Sequence, residues 1–336
     1  MVGLLQSDRA KLLTLLAGFV FFCASLLVSI LKGYHTFSFS LLWESIFYYN
    51  ASTEHILIRT VRMPAAFIAA TVGASLAIAG ALMQVLTKNP LASPSLFGIN
   101  SGAVLFIVLC LSVFKLDLAL KDMTLIAFLG AGVTALFVLA LGSLGNGGSL
   151  PLKLTLAGAA VSAFASSITS GIMLLYNQTL SEALFWLVGS VSGRKMEHLI
   201  TVIPYILIGW MIAFVLAKSL NVMGMGDDIA RGLGQRIWLI KGMTILVVIL
   251  LAGGSVALAG PIAFIGLIVP HLCRYLVGND HIWVIPYSAV AGAALLVSAD
   301  TVSRFILMPK EVPVGVTTAL LGVPFLIYIA RRRNYE

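Results

Sequence analysis

The sequence predicts an all-α polytopic membrane protein of about ten transmembrane helices, with both termini cytoplasmic. Three observations carry that prediction. Of 336 residues, 60% are hydrophobic and only 10% charged, against about 25% charged in a soluble domain. Mean hydropathy is +1.05. Apolar runs of roughly 20 residues, the length a helix needs to cross a bilayer core, recur from end to end. No long soluble segment, low-complexity stretch or clear internal repeat interrupts them, so residues 1–336 read as a single transmembrane domain.

The first run, 11–31, is full length, and no small-residue cleavage site follows it. It reads as a span rather than a signal peptide. The second, 64–86, opens on Pro64, in a helix's first turn where a missing N–H is harmless. Gly73, Ala77, Gly80 and Ala81 along it permit close helix approach. A sharp turn from Asn89 to Pro94 leads into 95–114. Runs at 122–143 and 152–176 flank a glycine-rich turn, and runs at 198–218 and 238–258 flank a polar interval. The run 261–276 is short, starts at Pro261 and is interrupted by Pro270, which leaves a broken or re-entrant helix as an alternative. Runs at 282–305 and 313–331 complete the set.

An even count places both termini on one side. Arg331, Arg332 and Arg333, with Arg9 and Lys11, mark that side as the cytoplasm. The net charge of +8 sits in loops between the runs, where it serves topology and partner docking; nucleic acid is not an expected partner. Cys23, Cys110 and Cys273 lack metal-ligand spacing, so neither a disulfide nor a metal site is expected.

The chain has no GxxxxGK[ST] segment and no HExxH, GxSxG or CxxC motif, so it carries no phosphate loop of its own and no recognisable catalytic set. Acids inside the runs are nearly absent. Asp300 stands four residues before Arg304, which predicts an ion pair on one helix face near the outer end. His271 reads as a packing or interface residue rather than a proton carrier. An ion-coupled transporter or an intramembrane enzyme needs more ionisable groups at mid-membrane than this. Energy for any transport must therefore enter from a partner.

The polar interval 219–237 is where a partner could grip. Met225, Ile229 and Leu233 recur every four residues, so a short helix there carries one apolar stripe. Asp227 and Asp228 fall at its start and Arg231 further along, which suits the helix dipole. A plain solvated loop is the competing reading. A second pattern lies in 152–176, where Gly158, Ser162, Ser166 and Ser170 share one helix face. Either they allow close packing or they line a passage, and the residues alone leave both open.

Several strings stand in a fixed order: Arg62-Met63-Pro64-Ala65, Gly80 to Gln84, Asn89 to Pro94, Gly226 to Gly234, Ala259 to His271, Asp300 to Arg304, Pro313 to Val316 and Gly322 to Phe325. In order and spacing the chain from about 56 to 331 resembles the permease subunits of iron-siderophore and vitamin B12 ABC importers. The resemblance implies a multi-pass protein of the bacterial plasma (inner) membrane, surrounded by lipid and needing no cofactor. Its implied partners are a second permease (identical or homologous), two cytoplasmic ATPases and an extracytoplasmic substrate-binding protein. It implies inward passage of an iron-siderophore chelate by alternating access, with a haem or cobalamin importer permease as the alternative; an ion-coupled secondary transporter is the rival from outside the family. ATPase coupling falls on Met225, Gly226, Asp227, Asp228, Ile229, Ala230, Arg231, Leu233 and Gly234, and docking of the binding protein on Arg62 and Arg304. The family's second docking arginine is Ala65 here, and Arg59, about one turn earlier, is the expected substitute. The resemblance also favours the passage reading for Gly158, Ser162, Ser166 and Ser170.

Overall fold

The computed structural model describes residues 3–33, 35–116, 119–144, 150–176, 188–307 and 311–332. Its order is α1 (Asp8–Leu31), α2 (Phe39–Phe47) and α3 (Thr53–Leu57), which runs through a π-helical turn at Ile58–Arg62 into α4 (Met63–Leu86). Then come α5 (Ile99–Val108) with a π-helical end at Leu109–Val113, α6 (Leu120–Ser143), α7 (Leu150–Leu175), α8 (Met196–Gly224) and the short α9 (Asp227–Gly232). α10 (Ile237–Val248) continues through Ile249–Gly253, again π-helical, into α11 (Gly254–Ala259). α12 (Ile265–Val277), α13 (His281–Ile306) and α14 (Val314–Arg332) close the chain. No β-strand occurs among the described residues.

Every expected apolar run has a helical counterpart, displaced at its ends by a few residues except where noted below. Among the described residues, seven helices are long and apolar enough to cross a membrane, and Ile99–Val113, Ile265–Val277 and Val314–Phe325 are shorter apolar helices. α2 and α3 were not expected. Each starts at a serine, Ser38 or Ser52, whose hydroxyl accepts a backbone N–H of the first turn, the usual N-cap arrangement. Leu42 of α2 packs with Ile30, Ile58 and Ala66 in a small cluster of its own.

α4 is the centre of the bundle. Every residue from Pro64 to Leu86 except Phe67 is buried. Its small residues make that possible: Gly73 meets Gly292 of α13 backbone to backbone, and Gly80 meets Gly266 of α12. Lipid tails are as apolar as leucine, so close backbone approach and its dispersion contacts replace the hydrophobic effect between such helices.

α12 runs without a break from Ile265 to Val277 with Pro270 inside it, so the interruption expected at Pro270 is corrected. A proline at 270 cannot donate to the Gly266 carbonyl. Gln84, buried on α4, fills in: its Nε2 donates to the carbonyls of Gly266 and Leu267 at 3.4 and 3.3 Å. Its Oε1 accepts from the Arg274 guanidinium, which also reaches the Ala81 carbonyl at 3.3 Å. Before α12 the chain is not helical from Gly260 to Phe264. Gly260 and Phe264 both take positive φ, 72° and 71°, and the Phe264 ring lies against Gly322 of α14. The expected helix start at 261 is thus corrected to Ile265.

Two ends of the bundle can be told apart by contacts. At one, the Leu4 and Leu5 N–H groups bond the carbonyls of Tyr275 and Leu276, Asn221 bonds Asp280, and Lys88 meets Asp227. At the other, Arg304 bonds Ser29, Arg62 faces Glu311, and Gly315 bonds Gly189.

Candidate coupling and docking sites

The polar interval divides differently from the expectation. α8 runs on to Gly224, so the first third of the interval belongs to a long helix. Met225 is that helix's C-cap and Leu233 is the C-cap of the short helix, so of the three expected stripe residues only Ile229 lies within it. The physical reason is Gly226, whose φ of 126° suits a residue without a β-carbon and ends the α-helical path. The chain turns there and α9 begins with Asp227 and Asp228, which meet the positive end of a helix. Gly234, at φ 79°, ends it.

The two acids have separate roles. Asp227 accepts from Lys241 of α10 at 2.5 Å and faces Lys88, in the turn after α4, at 3.2 Å. The Lys241 hydrogen bond is the main cause that holds its carboxyl below the usual carboxylate range; burial opposes it, and Lys88 adds to the lowering. Asp227 thereby ties α9 to the ends of two spans. Asp228 is almost fully exposed and pairs only with Arg231 on its own helix, at 3.5 Å. Gln235 adds a third tie, donating to the Ser219 carbonyl at 3.0 Å.

Ala230 is fully buried and seats α9 on the bundle. Met225, Ile229 and Leu233 point the other way, 64, 53 and 67% exposed. These apolar side chains are therefore exposed together, on α9 and at its two ends, and are left uncovered by the described residues. Burying such side chains is worth roughly 1.5–3 kcal/mol each.

At the opposite end the three arginines also separate. Arg59 is exposed, donates to the Ser45 and Ile46 carbonyls at 2.5 and 2.8 Å, and lies 4.4 Å from the Tyr49 ring centroid. It thus satisfies carbonyls at the end of α2, a role suited to a cation. Arg62 is buried, pressed by Gly33 and 4.0 Å from Glu311. Arg304 is buried too; it bonds the Asp300 carboxylate, as its sequence spacing predicts, and the Ser29 carbonyl at 2.7 Å. Glu311 in turn accepts from Ser192 Oγ at 2.5 Å. Two of the three docking candidates are thus neutralised inside the protein, and Arg59 is the one that reaches its surface.

The small-residue stripe of α7 changes character along its length. A β-carbon at Gly158 would stand 1.6 Å from the Leu96 carbonyl oxygen, so that end is close packing. Ser162 is half-buried, Ser166 is exposed with its hydroxyl 3.5 Å from that of Ser101, and Ser170 is exposed.

Sequence reasoning missed Lys88, Lys241, Gln84, Arg274 and Glu311 as functional or structural partners. For Lys241 a signal was available: a lysine four residues inside an apolar run needs a counter-charge.

A bundle of apolar helices bearing at one end a short helix with outward apolar side chains fits a membrane transport permease. The chain belongs to the FecCD transport family, whose model matches residues 20–332. It is 51% identical over 304 residues to a Bacillus subtilis (strain 168) protein named a probable siderophore transport system permease, covering 90% of this chain and 91% of that one. An Fe(3+)-citrate import system permease of the same organism is 44% identical, with 87% of this chain and 86% of that one covered. Among solved structures, a chain described as a metal-chelate type ABC transporter in an inward-facing conformation superposes with a TM-score of 0.83 at 26% identity, covering 95% of this chain and 99% of that one.

Proposed function

We propose that this chain is the permease subunit of an ATP-driven importer and passes an iron-siderophore chelate inward by alternating access. In this reading it crosses the bacterial plasma membrane ten times with both termini in the cytoplasm. The contacts that gather the amino-terminal segment, Lys88, α9 and Asp280 at one end support that topology. The names of its relatives, a siderophore and an iron-citrate permease, support the cargo.

The observation that carries the reading is the outward apolar group of Met225, Ile229 and Leu233, on α9 and at the turns on either side of it, in a segment tied to α4, α8 and α10. A cytoplasmic ATPase that buries this group, differently in its ATP-closed and open states, gains a differential affinity for two permease states. That difference is the only way ATP energy can shift the equilibrium between them. A second permease and an extracytoplasmic binding protein complete the complex, and the exposed Ser166 and Ser170 face of α7 lines the passage between permeases. With no charged ligand on that face, selectivity resides in the binding protein.

The test is uptake of labelled ferric chelate into vesicles holding the reconstituted complex. Ile229→Asp with Leu233→Asp abolishes uptake and releases the ATPase while leaving the binding protein attached. Uptake that survives these changes, or that persists in energised vesicles emptied of ATP, overturns the reading.

A further inference from the structure

A groove of about 780 Å³ opens beside α9, between the end of α6 and the start of α10. Its walls are apolar, with Leu136 and Leu139 on one side and Ile245 on the other. Its mouth carries Arg231, Arg236 and Lys241, and no carboxylate is among its lining residues. The neighbouring acids are already engaged, Asp227 with Lys241 and Lys88 and Asp228 with Arg231. Four cations against two carboxylates leave this corner with an excess of two positive charges. Trp238, 75% exposed, stands at the same mouth, the position tryptophan favours at a membrane interface.

We propose that this groove binds one anionic phospholipid of the adjoining leaflet, with a glycerophosphate headgroup such as that of phosphatidylglycerol. Its phosphate lies between Arg231 and Arg236, and one acyl chain runs along Leu139 and Leu136. Two features select a lipid over a soluble phosphate. The apolar wall from Ser143 to Leu136 follows α6 for about 10 Å at 1.5 Å per residue, a depth that only a hydrocarbon tail uses. The cations sit at the end of that wall rather than along it, which matches a charged head above an apolar chain. Basic pockets between membrane helices at the cytoplasmic side recognise such heads. That the leaflet is the inner one rests on the orientation proposed above. Lipid retention is measured without reference to orientation, so the two readings fail separately.

Native mass spectrometry of the full-length permease in its complex, released from mixed micelles of phosphatidylglycerol and phosphatidylcholine with matched chains, tests the proposal. Wild type retains phosphatidylglycerol preferentially. Arg236→Gln lowers that preference about fivefold, the worth of one basic residue near an anionic surface. Ala140→Phe, which fills the exposed wall without touching a charge, lowers retention of the same lipid while thermal unfolding of the permease is unchanged. Equal retention of the two lipids overturns the proposal, as does an Arg236→Gln variant that retains lipid like wild type. Release of the lipid by millimolar glycerol phosphate would assign the groove to a soluble anion instead, and its release on binding of a soluble protein partner would assign it to that partner; either outcome overturns the lipid assignment.

Discussion

A β-carbon built on Gly80 would stand 1.8 Å from the carbonyl oxygen of Gly266. α4 and α12 thus touch through their backbones, beside the carbonyls that Gln84 bonds. The central helix is held by absence of side chain at one residue and by a long polar side chain one turn later.

Gly80→Ala should therefore lower stability by about 1–3 kcal/mol or more, because a backbone oxygen cannot yield as a side chain can. Gly171→Ala on α7, where nothing lies within 4 Å, should leave it unchanged. Thermal unfolding of the detergent-extracted proteins separates the two, and equal melting temperatures would contradict the packing described.

Gln84→Leu keeps the volume and removes both halves of the bridge. It leaves the Gly266 carbonyl and the Arg274 guanidinium short of partners in a buried setting, at about 1–3 kcal/mol. Arg274→Leu alone should cost less, since the Gly266 carbonyl then keeps its Gln84 donor. The double variant Gln84→Leu, Arg274→Leu should be less destabilised than the sum of the single changes, and strict additivity would show that the bridge does not exist.

Asp227→Asn should loosen α9 from α4 and α10, with a loss on the order of 1 kcal/mol, whereas Asp228→Asn should be silent. Hydrogen exchange of residues 225–236 reads the difference. The sign of the pH effect follows from the lowered Asp227 value. Its contribution is fully present above the ordinary aspartate value of about 4, and is lost as pH falls through the depressed folded value. Exchange in this segment should be flat from pH 8 to 5 once corrected for intrinsic rates, and protection should fall only in stronger acid.

Arg304→Gln removes one partner of a buried pair and should destabilise by about 3–5 kcal/mol. Arg59→Glu should instead weaken attachment of the binding protein, because its side chain reaches the surface. Surface plasmon resonance with the purified binding protein checks this, and undiminished binding would remove Arg59 from the docking set.

Ser166→Trp should block uptake while the protein still folds and still binds its ATPase, since Ser166 is exposed. Gly158→Val, although on the same stripe, should fail earlier, at folding, because of the Leu96 carbonyl beside it. Yield of monodisperse protein separates the two failures.

Much of this was legible in the sequence because hydropathy reports directly on the solvent each helix meets. The apolar runs, the Asp300 and Arg304 pair and the exposed Ile229 and Leu233 all follow from local spacing, whereas α12 runs on through Pro270, where the distant Gln84 serves the carbonyl the proline leaves free. α2 escaped because nine residues are too few to span a membrane, although Ser38 and Ser52 offered their caps. The burial of Arg62 escaped for a different reason: its partners Gly33 and Glu311 come from distant segments, and no local pattern announces them. Asp227 was legible as a helix start but not as a tie, since Lys88 lies 139 residues earlier.

α12 has 13 residues, about 20 Å of helix, against a hydrocarbon layer of about 30 Å. In the ten-span arrangement proposed above, the remaining stretch falls to Gly260–Phe264, where Ala263 is exposed. Backbone without helical hydrogen bonds is not tolerated against lipid tails. The flank of the molecule carrying Ala263 must therefore look onto water or onto another protein. That gives the bundle a lipid-averse side, fixed by its own chain before any partner arrives, and so a direction in which it can assemble.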